Sequence, residues 1–437
     1  MVLLKNFINI FKITELKKKV LFMLCVLIIY RLGIHIPVVG VDINALNTLL
    51  AKSGALSGLL SYLDMFSGGA LGKCTIFALG ITPYITSSIM MQMLGMSIPH
   101  LEQLLKEGEY GRKVINQYTR YLTFAVSITQ SFFFATMLEH AGLVVTPGWG
   151  FRLMFILSLT VGSMFVMWLG EQISLFGIGN GSSLIIFAGI VASFPNQAIK
   201  IIQEFKDGLL PGWKAIAALV AFIAITACIV FLEKGSRKIP VQYTRRIVGQ
   251  RVYGGQSTYI PFKINTAGVM PAIFAGSILQ IPMFLVSFLS TRFESLKWLG
   301  VYFTPTSAAY SVLVFLLIIF FSFFYTALVF NPEELADNIK KSGGFIPGIR
   351  PGRKTAEFFN YILTRVGLVG AIYLGILALL PTIMYAGLGI PLAVSGTGLL
   401  IAVGVSLDTA AQIESYLIEH RYEGFLSSGR ITGRRAR

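Results

Sequence analysis

Ten stretches of this chain are too apolar and too long for anything but a membrane interior. A hydrocarbon core of about 30 Å is crossed by about 20 apolar residues of helix. Such stretches recur near 20–37, 74–96, 118–139, 151–170, 183–202, 213–233, 266–289, 307–330, 367–387 and 391–413. Only 13% of the 437 residues are charged and 55% are hydrophobic, where a soluble domain carries about 25% charged residues. No loop is long enough to build a separate soluble domain. The expected fold is therefore an all-α polytopic membrane protein of ten transmembrane helices, here called spans 1 to 10. Basic Met1–Lys19 followed by apolar Val20–Ile29 resembles an export signal. No small-residue cleavage site follows, however, and Tyr30-Arg31 interrupts the run, so a retained first span is expected.

Charge sets the orientation. Of the 36 Lys and Arg residues, 27 fall in the two tails and in alternate loops, 8 in the other loops, and Arg31 inside span 1. The basic side is the cytoplasmic one, so both termini and the long loops 234–265 and 331–366 are expected there. Those loops are richer in Arg than orientation requires. The first carries Arg237, Arg245, Arg246 and Arg251, with Val241 and Tyr243 alternating as in a short hairpin. The second runs Phe345-Ile-Pro-Gly-Ile-Arg-Pro-Gly-Arg353, whose Pro/Gly spacing makes a stiff turn presenting Arg350 and Arg353. Such a surface suits an anionic partner, ribosomal RNA or an acidic patch on a motor protein, because Arg makes bidentate phosphate or carboxylate contacts. Attraction to anionic lipid is the competing reading.

Span 2 is interrupted. A short amphipathic piece, Leu56 to Phe66, meets a Ser67-Gly68-Gly69 joint before an apolar helix expected from Cys74 to Met96 with Pro83 inside it. Irregular backbone at membrane depth is tolerated only where it is buried in protein or lines a watery cavity. Span 7 echoes it: Gly80-Ile-Thr-Pro83-Tyr-Ile85 matches Gly268-Val-Met-Pro271-Ala-Ile273, and spans 5 and 10 both open on Gly-x-Gly, at 179–181 and 396–398. Matches at spans 2 and 7, and at 5 and 10, divide the chain into halves of five spans, 1–205 and 206–437, inverted because five is odd. Proline-interrupted helices at corresponding positions of two halves mark a functional axis. Ile81 and Ile85 share one helical face there, as do Ser182 and Ile186, while Ile273 and Ile401 come from the second half. The same spacing serves ordinary helix packing.

Other chemistry has little to stand on in the sequence. The four histidines form no metal-spaced cluster. Ala393-Val-Ser-Gly396 lacks the flanking pattern of a nucleophile elbow. No Gly-x-x-x-x-Gly-Lys-Ser/Thr exists to cradle phosphate, so ATP chemistry must belong to a partner and no cofactor is expected. Cys25, Cys74 and Cys228 all lie in apolar stretches and read as small buried hydrophobes. Acidic residues sit mostly at span ends (Glu139, Glu171, Glu233, Asp408, Glu414), which disfavours an ion-coupled solute transporter needing paired carboxylates at the midplane. A membrane scaffold that only recruits ribosomes would need neither the broken span 2 nor its match in span 7.

Seven blocks, in order, carry a family resemblance: 30–37, 65–71, 77–85, 108–121, 177–181, 256–274 and 345–352. On these the chain resembles the SecY/Sec61-alpha family of protein-translocase channel subunits over nearly its whole length. The resemblance implies a channel that passes unfolded secretory polypeptides and releases hydrophobic segments sideways into lipid, with no enzymatic activity of its own. It implies a re-entrant plug near 56–66, with Leu56, Leu59, Leu60, Leu63 and Phe66 on it. It implies a pore ring of Ile81, Ile85, Ile186, Ile273 and Ile401, with Ser182 where the family usually has an aliphatic residue. A lateral gate between spans 2 and 7 would involve Pro83, Ser87, Gln92, Asn265 and Pro271, with the prolines and Gly268 as bending points. Implied partners are SecE and SecG, the SecA motor, the ribosome, signal-bearing polypeptides and lipid, in a bacterial cytoplasmic membrane.

Overall fold

The computed structural model describes residues 13–43, 45–46, 48, 64, 67–208, 210–243, 246–248, 251–253, 257–292, 302, 307–389 and 395–428. The expected plug residues Leu56, Leu59, Leu60, Leu63 and Phe66, and Arg245, lie outside these. Ten helices match the ten spans: Thr14–Gly33, Thr82–Ser97, Glu109–His140, Trp149–Phe176, Gly181–Lys206, Gly212–Lys234, Met270–Arg292, Ala308–Val329, Arg353–Leu388 and Gly396–Ser428. Spans 3 to 6 and 8 to 10 are each long and apolar enough to cross a bilayer. Span 1 is charged at its start, span 2 has only 16 residues, and span 7, Met270–Arg292, has 23.

The shortness of span 2 corrects the sequence reading. The helix begins at Thr82, not Cys74, and Pro83 stands in its first turn. Proline fits there because the first helical N–H groups have no partner within the helix anyway. Upstream, Gly80 adopts φ +55°, so the helix cannot run back through it. Span 7 repeats the geometry: Gly268 has φ +62° and Pro271 is the second residue of the helix. The Gly-x-x-Pro echo thus encodes two matched helix starts, and neither proline is a bend inside its helix. Interior prolines are Pro195, Pro282 and Pro381 instead.

Between Gly68 and Ile81 the backbone is irregular yet held by hydrogen bonds. Val38 N–H donates to the Cys74 carbonyl at 2.8 Å, Ile76 N–H to that of Ile36 at 3.1 Å, and Thr75 N–H to that of Ala70 at 3.1 Å. Span 1 holds the joint as well: Arg31 Nη1 donates to the Gly68 carbonyl at 2.9 Å and the Tyr30 hydroxyl to that of Ser67 at 3.3 Å. Asp64 Oδ1 accepts the Gly72 N–H at 2.6 Å. These are the partners that hydrocarbon cannot supply.

The described parts of the two long basic loops form a small folded layer. Strands β1 (Ser236–Tyr243) and β4 (Ser257–Lys263) pair antiparallel, and β5 (Gly344–Phe345) joins β1 on its other edge. Strands β2 (Arg246–Val248) and β3 (Arg251–Tyr253) form the tip of the expected hairpin. Span 9 begins at Arg353, earlier than the expected 367. Its first turns bury Ala356, Phe359, Ile362 and Leu363 against Ile239, Val241, Phe262 and Ile346. That helical spacing of apolar residues extends the span beyond the membrane. The helix Pro332–Lys341 completes the layer. Asn331 caps it by accepting the Glu333 and Glu334 N–H groups, with acids in its first turn and lysines in its last.

Candidate functional site

Spans 2, 5 and 7 meet around a cavity of about 510 Å³. Its walls bring together Ile85, Ser182, Ile186 and Ile273 of the expected ring, with Gln92 beside them. Ile85, Ile186 and Ile273 are 7%, 3% and 3% exposed, so all three are buried where these spans meet. Ile81 and Ile401 belong to the same apolar core but do not line this cavity. Ile81 turns toward span 4, where a Cβ on Gly170 would lie 3.2 Å from its Cδ1. Spacing along one helix could not reveal that, because Gly170 stands on another.

Ser182 departs from an aliphatic ring, and its hydroxyl is occupied. It donates to Asn180 Oδ1 at 2.6 Å, the same oxygen that caps span 5 by accepting the Ser182 and Ser183 N–H groups. The donor is therefore spent within the helix cap and unavailable to water in the cavity. Ring residues and cap are built from one short run, with Gly179 at φ +87° turning the chain into it.

The expected gate residues divide between two places. Ser87 is fully buried and its hydroxyl donates back to the Pro83 carbonyl at 2.8 Å. Gln92 Nε2 donates to Ser88 Oγ at 3.2 Å, and its Oε1 has no hydrogen-bond partner among the described residues. Asn265 lies on a second cavity, of about 450 Å³, with Glu233, Lys263 and Asp408. It does not share the wall that holds Gln92.

Span 3 contributes a polar stripe that the sequence reading passed over. Thr119, Thr123, Ser127, Gln130 and Ser131 are 0–5% exposed on the face it packs against spans 2, 4 and 7. Ser127 Oγ and Ser163 Oγ share a hydrogen bond of 3.1 Å, while Gln130 Nε2 is buried without a partner among the described residues. From span 7, Ser277 and Gln280 are buried too. The signal was the i, i+4 spacing of small polar residues, which join helices where lipid gives no hydrophobic drive. Acidic span ends are largely taken. Glu139 accepts from Arg152 at 2.6 Å, and Arg120 forms a two-pronged pair with Glu171 at 2.8 and 2.9 Å.

In the basic folded layer Arg237 is exposed on β1. Arg246 and Arg251 lie on paired strands β2 and β3. The 345–353 turn is rigid: Gly348 and Gly352 take φ +82° and +101°, Ile349 N–H donates to the Ile346 carbonyl, and Thr355 Oγ1 donates to the Arg350 carbonyl at 3.0 Å. Arg350 is exposed, with no carboxylate partner among the described residues. Arg353, by contrast, pairs with Glu357 at 3.5 Å, and Lys354 reaches the same carboxylate at 2.8 Å. The Lys354 hydrogen bond holds the Glu357 carboxyl below its usual range.

Ten helical spans, two of them with matched Gly-x-x-Pro starts beside a cavity and joined to a basic folded layer, define a polytopic helical membrane protein. The comparisons give its family. The SecY family profile matches residues 75–410. The protein translocase subunit SecY of Streptomyces scabiei is 46% identical over 438 residues, 97% of this chain and 100% of its own. That of Escherichia coli strain K12 is 44% identical over 425 residues, 96% of each. The chain belongs to the SecY family, the protein-conducting channel subunits of the protein translocase. Solved structures share the fold. A protein-conducting channel matches with TM-score 0.68 at 19% identity, covering 91% of this chain and 92% of that one. Sec61 in the canine ribosome-channel complex matches with TM-score 0.63 at 18% identity and the same coverage.

Proposed function

We propose that this channel passes unfolded secretory polypeptides between its two halves, 1–205 and 206–437, and releases hydrophobic segments sideways where spans 2 and 7 part. The observation that carries this reading is the cavity framed by spans 2, 5 and 7, with buried isoleucines from both halves on its walls. Isoleucines make no specific bond, so they can yield around a chain of any sequence and still resist wetting when idle. A signal sequence is an apolar helix, and a side opening lets it partition into lipid. Ile81 and Ile401 complete the ring when the halves separate, and the segment 56–66 seals the outer funnel.

The membrane is a bacterial cytoplasmic one, with both termini on the cytoplasmic side. SecE clamps the halves and SecG joins them. Arg350, with Arg237, Arg245, Arg246, Arg251 and Arg353, docks the ribosome or the SecA motor, which supplies the ATP hydrolysis. Paired cysteines at Ser87 and Ala275, both fully buried on spans that pack together, test the gate. Oxidation should stop export and reduction restore it; undiminished export under the disulfide would refute lateral gating.

A further inference from the structure

Glu233 closes span 6, is 7% exposed, and has no Lys or Arg in ion-pairing distance among the described residues. A carboxylate buried without a cation is costly unless hydrogen bonds compensate it. The direct hydrogen bond here comes from one amide, with Lys263 and Asp408 on the same cavity. Asn265 Nδ2 donates to Glu233 Oε2 at 2.8 Å and, with its second hydrogen, to the Gly268 carbonyl at 3.0 Å. An amide nitrogen has two donors and both are used, so the carboxylate also fixes which way the amide faces. Gly268 is the left-handed residue two positions before span 7, and Val269 accepts the N–H of Ile273, whose side chain lines the ring cavity. The turn has further ties: Ile264 N–H to the Gly235 carbonyl at 2.9 Å, and Thr266 to Thr326 of span 8 at 3.1 Å.

We propose that Glu233 is a positioning residue for the lateral gate: acting through Asn265, it holds the Gly268 carbonyl and thereby sets the resting position of span 7 against span 2. This rests on the lateral-gate reading above. Losing the relay frees the foot of span 7, so the gate opens for signals too weak to open the intact one.

The test uses the whole channel complex in membrane vesicles. Export of a precursor with a defective signal sequence is compared with that of the same precursor with an intact signal. Glu233→Ala and Asn265→Ala should each raise export of the defective precursor about tenfold, the size of one lost hydrogen bond to a charged group. The double variant should do no more than either single, and Glu233→Gln, whose Oε1 still accepts from Asn265, should keep the selection. A Glu233→Gln as loose as Glu233→Ala, an additive double variant, or a Glu233→Ala that selects normally would each overturn the proposal. If Glu233→Ala fails to accumulate, Asn265→Asp replaces it. That change sets two carboxylates face to face and should loosen selection, and adding Glu233→Gln should restore part of it; no restoration overturns the relay. The disulfide between spans 2 and 7, in the same vesicles, separates the two claims. Export under the disulfide removes the gate itself, whereas a working disulfide with a silent Glu233→Ala removes only the positioning role.

Discussion

Arg350→Glu tests the proposed docking face, and the structure sets its size. The side chain is exposed and carries no carboxylate partner among the described residues, while the turn beneath it is held by backbone bonds and by Thr355. Reversing such a charge should change folding stability by no more than about 0.5 kcal/mol. Binding of an anionic partner loses one hydrogen bond to a charged group, about 1.5–3 kcal/mol. It also gains a repulsion that is at most about 4 kcal/mol at contact distance near a surface, and less in salt. A net loss of about 3–4 kcal/mol lowers affinity by about two to three orders of magnitude, at about 1.4 kcal/mol per tenfold. Arg353→Glu should do less, because Arg353 already shares Glu357 with Lys354. The assay is motor-driven export into vesicles, with motor affinity measured alongside at two salt concentrations. Normal motor affinity and export by Arg350→Glu, at normal channel abundance, would refute the docking role. So would an Arg353→Glu defect as large as that of Arg350→Glu.

Two further predictions concern the pore and the helix starts. Replacing Ile85 and Ile273 together by Asn puts water-binding amides into the constriction. Ion conductance of the idle channel in a planar bilayer should then rise at least about tenfold, and background conductance would show that the ring is elsewhere. Gly268→Ala meets no atom within 4 Å, so its effect is backbone strain alone, about 1–2 kcal/mol at φ +62°. Thermal inactivation of the purified complex should come at lower temperature, whereas Gly367→Ala, in open space inside span 9, should not lower it.

Much of this architecture was legible because membrane helices announce themselves by length and charge. The Gly80/Pro83 and Gly268/Pro271 echo also marked two real and matched features. Their meaning was misread: a proline read as interrupting an apolar run turned out to begin the helix, since Gly80 and Gly268 bend the chain just before it. What stayed hidden were contacts between distant segments. Nothing along the chain shows that β5 pairs with β1. Nor does it show that Glu233 meets Asn265, or that Ile81 turns to Gly170 while Ile85 faces the cavity. The buried stripe on span 3 was readable from its spacing, but polar residues in a span attract notice when charged, and these are small and neutral.

The central claim is that a polypeptide passes between the isoleucines of the two halves. A secretory chain stalled in transit, with photoreactive residues placed in the channel at positions 85, 273 and 161, tests it most directly. Val161 is a control: it is 66% exposed on the outer surface of span 4. Crosslinks to the stalled chain should form from 85 and 273 and not from 161. No crosslink from 85 and 273, or one from 161 as strong as theirs, would contradict the account.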